Sequence, residues 1–313
     1  MFTDILLVTA SQMAVLLFFM LIGCLLFRTK KVGEGASDAV STLLLYIFMP
    51  ATCFKTFAEH CTPEVLVSRL PLILAGFATL FGTLGLGWLV SRFLTKNPRG
   101  REIYTFSLVV SNLGYLGYPL VDAVFGGDVL FDFMVFCMPF NMFIYSFGMY
   151  LLNPQKKLTV RIFSSPAILS IIAGIAVGLS GIVLPAPVAG AVSAASACMA
   201  PCAMLVIGIV LAGIPIRTTF TDGKVWIVSL LRLIGLPMLA CGLALLLHLD
   251  REMSMILMAM LCLPAGLNGV VFTKAYGGDS DSAAKLSFLT NLLGIVTIPL
   301  LYALAGAMFG GTV

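Results

Sequence analysis

Charge is what this chain has least of. Only 10% of its 313 residues are Asp, Glu, Lys or Arg, against about 25% in an ordinary soluble domain. All fourteen acids fall in loops or near the ends of apolar runs. That argues against carriers that bind protons or sodium ions at the membrane centre, because such sites need carboxylates there. Histidine occurs twice, as His60 and His248, and neither lies deep or at a metal-ligand spacing. No nucleophile, base or metal constellation is grouped on facing segments, which argues against a membrane-embedded enzyme. No metal or cofactor is expected. No basic patch carries interleaved aromatics, so nucleic acid is not an expected partner. Seven of the eight cysteines lie in apolar runs and only Cys61 is expected to be exposed, so no disulfide framework is supported. Cys198 and Cys202 share a helical face, but two ligands are too few for a soft metal and they read as packing.

What abounds is apolar sequence. Hydrophobic residues make up 60% of the chain, and mean hydropathy is +1.09. A hydrocarbon core of ~30 Å takes about 20 apolar residues per helix. Ten such spans are predicted, at 5–27, 36–57, 70–93, 102–125, 129–151, 164–184, 189–213, 224–248, 253–276 and 283–309. The lipid bilayer is therefore the expected surrounding, and the fold class is an all-α polytopic membrane protein. The N-terminus lacks a positive n-region, so the first run reads as a span and not a cleaved signal. Arg28, Lys30, Lys31, Arg92, Lys96, Arg99, Arg101, Lys156, Lys157, Arg161, Arg217, Lys224, Lys274 and Lys285 fall on one side. Only Lys55, Arg69 and Arg251 fall on the other, and Arg232 lies within a span. The positive-inside rule makes the first side cytoplasmic and puts both termini outside the cytoplasmic (inner) membrane.

Two spans are interrupted where they should be purely apolar. Ser111-Asn112-Leu113-Gly114-Tyr115-Leu116-Gly117-Tyr118-Pro119 breaks the fourth, and Pro264-Ala265-Gly266-Leu267-Asn268-Gly269 breaks the ninth. Proline removes a backbone donor, and in lipid the freed groups must find other partners. Asn112 lies ten residues beyond Glu102, and Pro264 twelve beyond Glu252. At 1.5 Å per residue both breaks reach ~15–18 Å, near the midplane, from opposite sides. The halves match at an offset of about 151 residues, which sets Pro50 on Pro201, one break on the other, and Asn141 beside the counterpart of Asn291. Five spans per half is odd, so the second half must be inverted. The expectation is a 5+5 inverted repeat, residues 1–152 and 153–313, with broken helices 4 and 9 crossing. Paired breaks of this kind point to a substrate site at the midplane. Half-helix N-termini there would offer free N–H groups and a positive dipole end to a carboxylate.

These residues resemble the auxin efflux carrier family, which includes plant auxin exporters and bacterial carriers described as malonate or other organic-acid permeases. The matching pieces are Asn112…Gly117-x-Pro119-Leu120, Pro264 with Ala275-Tyr276-Gly277, and Thr297-x-Pro299-Leu300, in order across the whole chain. The resemblance implies a scaffold of spans 1, 2, 6 and 7, often dimeric, and a moving transport domain of spans 3–5 and 8–10. It implies elevator-like transport of an anion. The long central loop of the plant branch is absent, which favours the bacterial branch. The expected activity is thus secondary transport of a small organic anion, a mono- or dicarboxylate, with a sodium- or proton-coupled carrier of the bile-acid or antiporter type, a channel and a receptor as alternatives.

The candidate substrate-binding residues are Asn112, Gly114, Gly117, Pro119, Pro264, Gly266, Asn268, Gly269, Asn141 and Asn291, with Arg232 as candidate counter-charge. Each has a plainer reading. The asparagines would satisfy broken backbone, the glycines would allow close packing, and the prolines would shape the crossing. Tyr115 and Tyr118 are candidates to line the site. Arg232 would either snorkel to the cytoplasmic interface or face substrate. Lys55 and Asp122 would either gate or sit at the outer interface.

Overall fold

The computed structural model describes residues 2–33, 35–155, 165–213 and 216–309, and helices dominate all four stretches. The helices are α1 (Phe2–Arg28), α2 (Gly35–His60), α3 (Leu70–Leu94), α4 (Pro98–Val109), α5 (Leu113–Phe125) and α6 (Gly127–Leu152), followed by α7 (Pro166–Ser180), α8 (Ala186–Ala212), α9 (Gly223–Leu246), α10 (Arg251–Leu261), α11 (Asn268–Tyr276) and α12 (Ser280–Phe309). Single short helices, Pro63–Ser68 and Ile216–Thr221, sit in the connections. Lys156, Lys157 and Arg161, and the side chain of Arg217, lie outside the described residues.

Among the described residues, seven helices are long and apolar enough to cross a membrane: α1, α2, α3, α6, α8, α9 and α12. The expected fourth and ninth spans are each two separate helices, α4 with α5 and α10 with α11, because extended backbone interrupts them. The expected sixth span is shorter than read, since Pro166 opens α7 and Gly181, at φ +65°, ends it. Large exposed apolar side chains such as Leu7, Phe18 and Leu25 on α1, and Leu74, Phe81 and Phe93 on α3, form the surface that lipid would cover.

Proline leaves a repeated signature. Turns of π-helix at Leu44–Phe48, Leu113–Gly117 and Leu231–Gly235 each precede, by two residues, Pro50, Pro119 and Pro237. A proline cannot donate to the carbonyl one turn back, and its ring crowds that carbonyl. Widening the preceding turn relieves the crowding, and such bulges gather at functional sites.

Packing pairs α1 with α8 and α2 with α7, and α2 also meets α8. Gly174-x-x-x-Gly178 on α7 lets α2 approach closely, for a methyl group at Gly174 would lie 2.7 Å from the Phe54 carbonyl oxygen. Without a hydrophobic drive between helices in lipid, such small residues supply the contact. Elsewhere α3 packs on α4 and α6, while α12 packs on α9, α10 and α11 and also meets α1. Cys61, expected to be exposed, is buried at 1% where α2 meets Gly178 of α7; Cys198 is the exposed thiol.

Candidate functional site: the crossing of two broken helices

The two breaks meet. α4 ends at Val109, and Val110 turns extended with φ −91° and ψ 111°. Ser111 forms an isolated antiparallel bridge with Ala265. Asn112 N donates to Pro264 O at 2.9 Å, and Gly266 N donates to Val110 O at 3.0 Å. Ala265 N donates to Thr290 Oγ1 of α12 at 3.1 Å. Each break thus satisfies the backbone that the other exposes, as burial in an apolar medium demands. The expectation of unpaired amides there needs correcting: these three donors are spent within the protein.

Glycine makes the approach possible. A methyl group at Gly266 would lie 3.0 Å from Ser111 O, and one at Gly117 would lie 2.7 Å from Leu263 Cδ1. At Gly114 it would collide with the terminal methyl of Met49 on α2. Gly269 meets only ordinary contacts at 3.4 Å, from Ile103 and Phe106.

Arg232 explains the other side of the crossing. It is fully buried, so of its two readings the one in which its side chain snorkels to the cytoplasmic interface is overturned. From the π-turn of α9 its Nε donates to Leu263 O at 3.0 Å and its Nη1 to Leu108 O at 2.7 Å. Nη2 donates to Ser111 Oγ, which in turn donates to Met260 O at 3.1 Å. Leu108 lies in the last turn of α4, and Leu263 lies two residues past the end of α10. One guanidinium therefore sits on both negative dipole ends, the placement that favours a cation. No carboxylate forms an ion pair with Arg232 among the described residues.

The asparagines divide into groups. Asn112, 2% exposed, donates through Nδ2 to Asn291 Oδ1 at 3.4 Å, and Asn291 donates to Ser287 O at 2.7 Å. Asn112 O accepts from Leu116 N and Gly117 N, fastening the start of α5. Asn141 belongs to a separate group: it donates to the Tyr118 hydroxyl at 2.9 Å and to Cys137 O at 3.2 Å. Asn268 opens α11, is half-buried, and makes no side-chain hydrogen bond among the described residues. Tyr115 and Tyr118 are both buried. Ser111 and Thr290 were missed in the sequence, although each adjoins an asparagine that was singled out.

Among the described residues, two cavities flank α2 beside the crossing. One of about 420 Å³ is lined by Tyr46, Met49, Tyr145, Met149, Ser165 and Phe272, among others. The other, of about 270 Å³, includes Thr52, Lys55, Tyr118, Pro119 and Asp122. Met49 and Thr52 lie one helical turn apart on α2, so the two cavities open on neighbouring turns of the same helix.

Sequence comparison matches the chain to the family described as "Membrane transport protein", over residues 8–159 and 152–302. The chain belongs to the auxin efflux carrier family. Among curated carriers, it is 26% identical over 313 residues to a Rhizobium meliloti protein named "Putative malonate transporter", covering 94% of this chain and 96% of that one. It is 23% identical over 291 residues to an "Uncharacterized transporter" of Methanothermobacter thermautotrophicus, covering 91% and 94%. Membership in this family makes the chain a multi-pass membrane protein of a transport family, in keeping with its apolar helices.

Proposed function

We propose that this protein is a secondary transporter that carries a small organic anion, a mono- or dicarboxylate, across the cytoplasmic membrane. The observation that carries this reading is Arg232, a fully buried cation without an acidic partner among the described residues, one hydrogen bond from Ser111 beside Asn112. A buried charge without a counter-ion is costly. A carboxylate arriving beside Ser111 would lower that cost through the one intervening hydrogen bond, while Asn268, whose amide makes no side-chain hydrogen bond among the described residues, would supply neutral donors. The name of the Rhizobium meliloti relative agrees with such a substrate.

In this reading the chain crosses the membrane ten times as a 5+5 inverted repeat, counting α4–α5 and α10–α11 as one crossing each. Gly126 and Gly277 support it: both end the second half of a broken helix, at φ +86° and +77°, and they lie 151 residues apart. The two stretches that match the family meet near residue 152, where the repeats would join. The paired packing of α1 with α8 and α2 with α7 supports a scaffold of these four helices. The remaining eight would move against it as an elevator, carrying the crossing, with both chain termini outside.

Uptake by the purified protein in proteoliposomes tests this, using a panel of mono- and dicarboxylates with and without pH and sodium gradients. Saturable uptake and exchange are expected. Conductance that never saturates would favour a channel, and transport of no carboxylate would remove the reading.

A further inference from the structure

We infer that the cavity between α2, α5 and α8 is a docking subsite for a carboxylate arriving from the face opposite the basic loops, with Lys55 as its counter-charge. This rests on the transporter reading above and adds a second place of contact to it. The cavity has about 270 Å³, room for about nine waters at ~30 Å³ each, and so for a three- or four-carbon dicarboxylate. Its walls differ in origin. Thr52 and Lys55 come from α2, and Ser193 and Ser196 from α8. Pro119 and Asp122 come from α5, which begins at the crossing. The site therefore lies on the boundary between the two groups of helices.

Lys55 is half-buried and forms no ion pair among the described residues. Asp122 lines the same cavity beyond ion-pair reach and is exposed, but it still interacts with the Lys55 charge at longer range, so an arriving anion competes with it for the ammonium. Hydroxyls complete the donor set. Thr52 Oγ1 lies 3.0 Å from Phe48 O, to which it donates, and 3.0 Å from Ser196 Oγ. Ser196 is then the donor in that pair, and its hydrogen can turn to a guest, as can that of Ser193. One ammonium with two hydroxyl donors suits a single carboxylate. The guanidinium fork that favours phosphate is missing from the lining. The far end of the guest faces Tyr118, whose hydroxyl holds Asn141 at 2.9 Å.

Radiolabelled malonate taken up by oriented membrane vesicles is the probe, with KM measured separately from each face. Lys55→Gln should raise the KM from the outer face roughly tenfold or more, since a charge-assisted contact is lost. The KM from the inner face should stay unchanged. Lys55→Arg should keep outer affinity within about threefold, because it preserves the charge. Asp122→Asn, which removes a competing carboxylate, should lower the outer KM. An outer KM unmoved in Lys55→Gln overturns the subsite while leaving transport intact. So does an equal rise at both faces in Lys55→Gln and Lys55→Arg, the mark of a structural role. Wild-type vesicles that take up neither malonate nor any other small carboxylate defeat the transporter reading, and the subsite with it.

Discussion

Arg232 Nη1 donates to Leu108 O at 2.7 Å, across 124 residues of chain, and its Nε takes Leu263 O from the other broken helix. The same residue that supplies positive charge to the crossing also holds its two halves together. If Arg232 also attracts the substrate, as proposed, structure and affinity are coupled at one side chain, and substitutions of different chemistry should separate them.

Arg232→Met leaves two buried carbonyls without their donor, at about 1–3 kcal/mol each. It should lower the melting temperature in detergent and weaken uptake together. Arg232→Lys keeps the charge but loses the planar fork. It should melt early while holding apparent affinity closer to wild type. Thermal melting and uptake KM on both variants test this; an Arg232→Met protein that melts like wild type defeats the clamp.

Asn268 makes no side-chain hydrogen bond among the described residues, unlike Asn112 with its partner Asn291. Asn268→Ala should leave the melting temperature unchanged, within about 0.5 kcal/mol as for sites without special partners. Lost uptake in that variant then reports on substrate. Asn112→Ala should abolish saturable uptake with a modest loss of stability, about 1 kcal/mol for one hydrogen bond. Wild-type uptake by both variants removes the asparagines from the site.

Glycine substitutions should rank by what they meet. Gly266→Ala presses on Ser111 backbone and should cost about 1–3 kcal/mol. Gly269→Ala meets only ordinary contacts and should be nearly neutral. Gly114→Ala meets the Met49 methyl, so a second change, Met49→Ala, should restore what the first removes. A double-mutant cycle on melting temperature and uptake reads that coupling. Additive effects would show that the two residues do not press on each other.

At the ends of three helices, Arg69 Nε lies 2.7 Å from Asp132 and Nη1 lies 3.0 Å from Glu252. Asp132 is nearly buried, with 8% of its side chain exposed, whereas Glu252 is half-exposed. Removing the cation should therefore matter more than removing the exposed acid. Arg69→Ala strands a buried carboxylate and should destabilise clearly. Glu252→Ala should cost no more than about 1 kcal/mol. Equal melting temperatures in the two variants contradict this ordering.

The sequence by itself determined that the chain belongs in lipid and where its helices fail. Both follow from local chemistry: apolar runs of spanning length, and Pro119 and Pro264 with their neighbouring glycines and asparagines. What the sequence could not decide was which groups answer the broken backbone. Asn112 finds Pro264 O and Asn291, 179 residues away, and Arg232 turns inward although its depth alone suggested an escape to the interface. Hydropathy records how far along a helix a residue lies, not the direction in which it points. Only the tertiary structure brings two carbonyl ends within reach of one guanidinium, because hydrogen bonds depend on positions in space that distant segments set together.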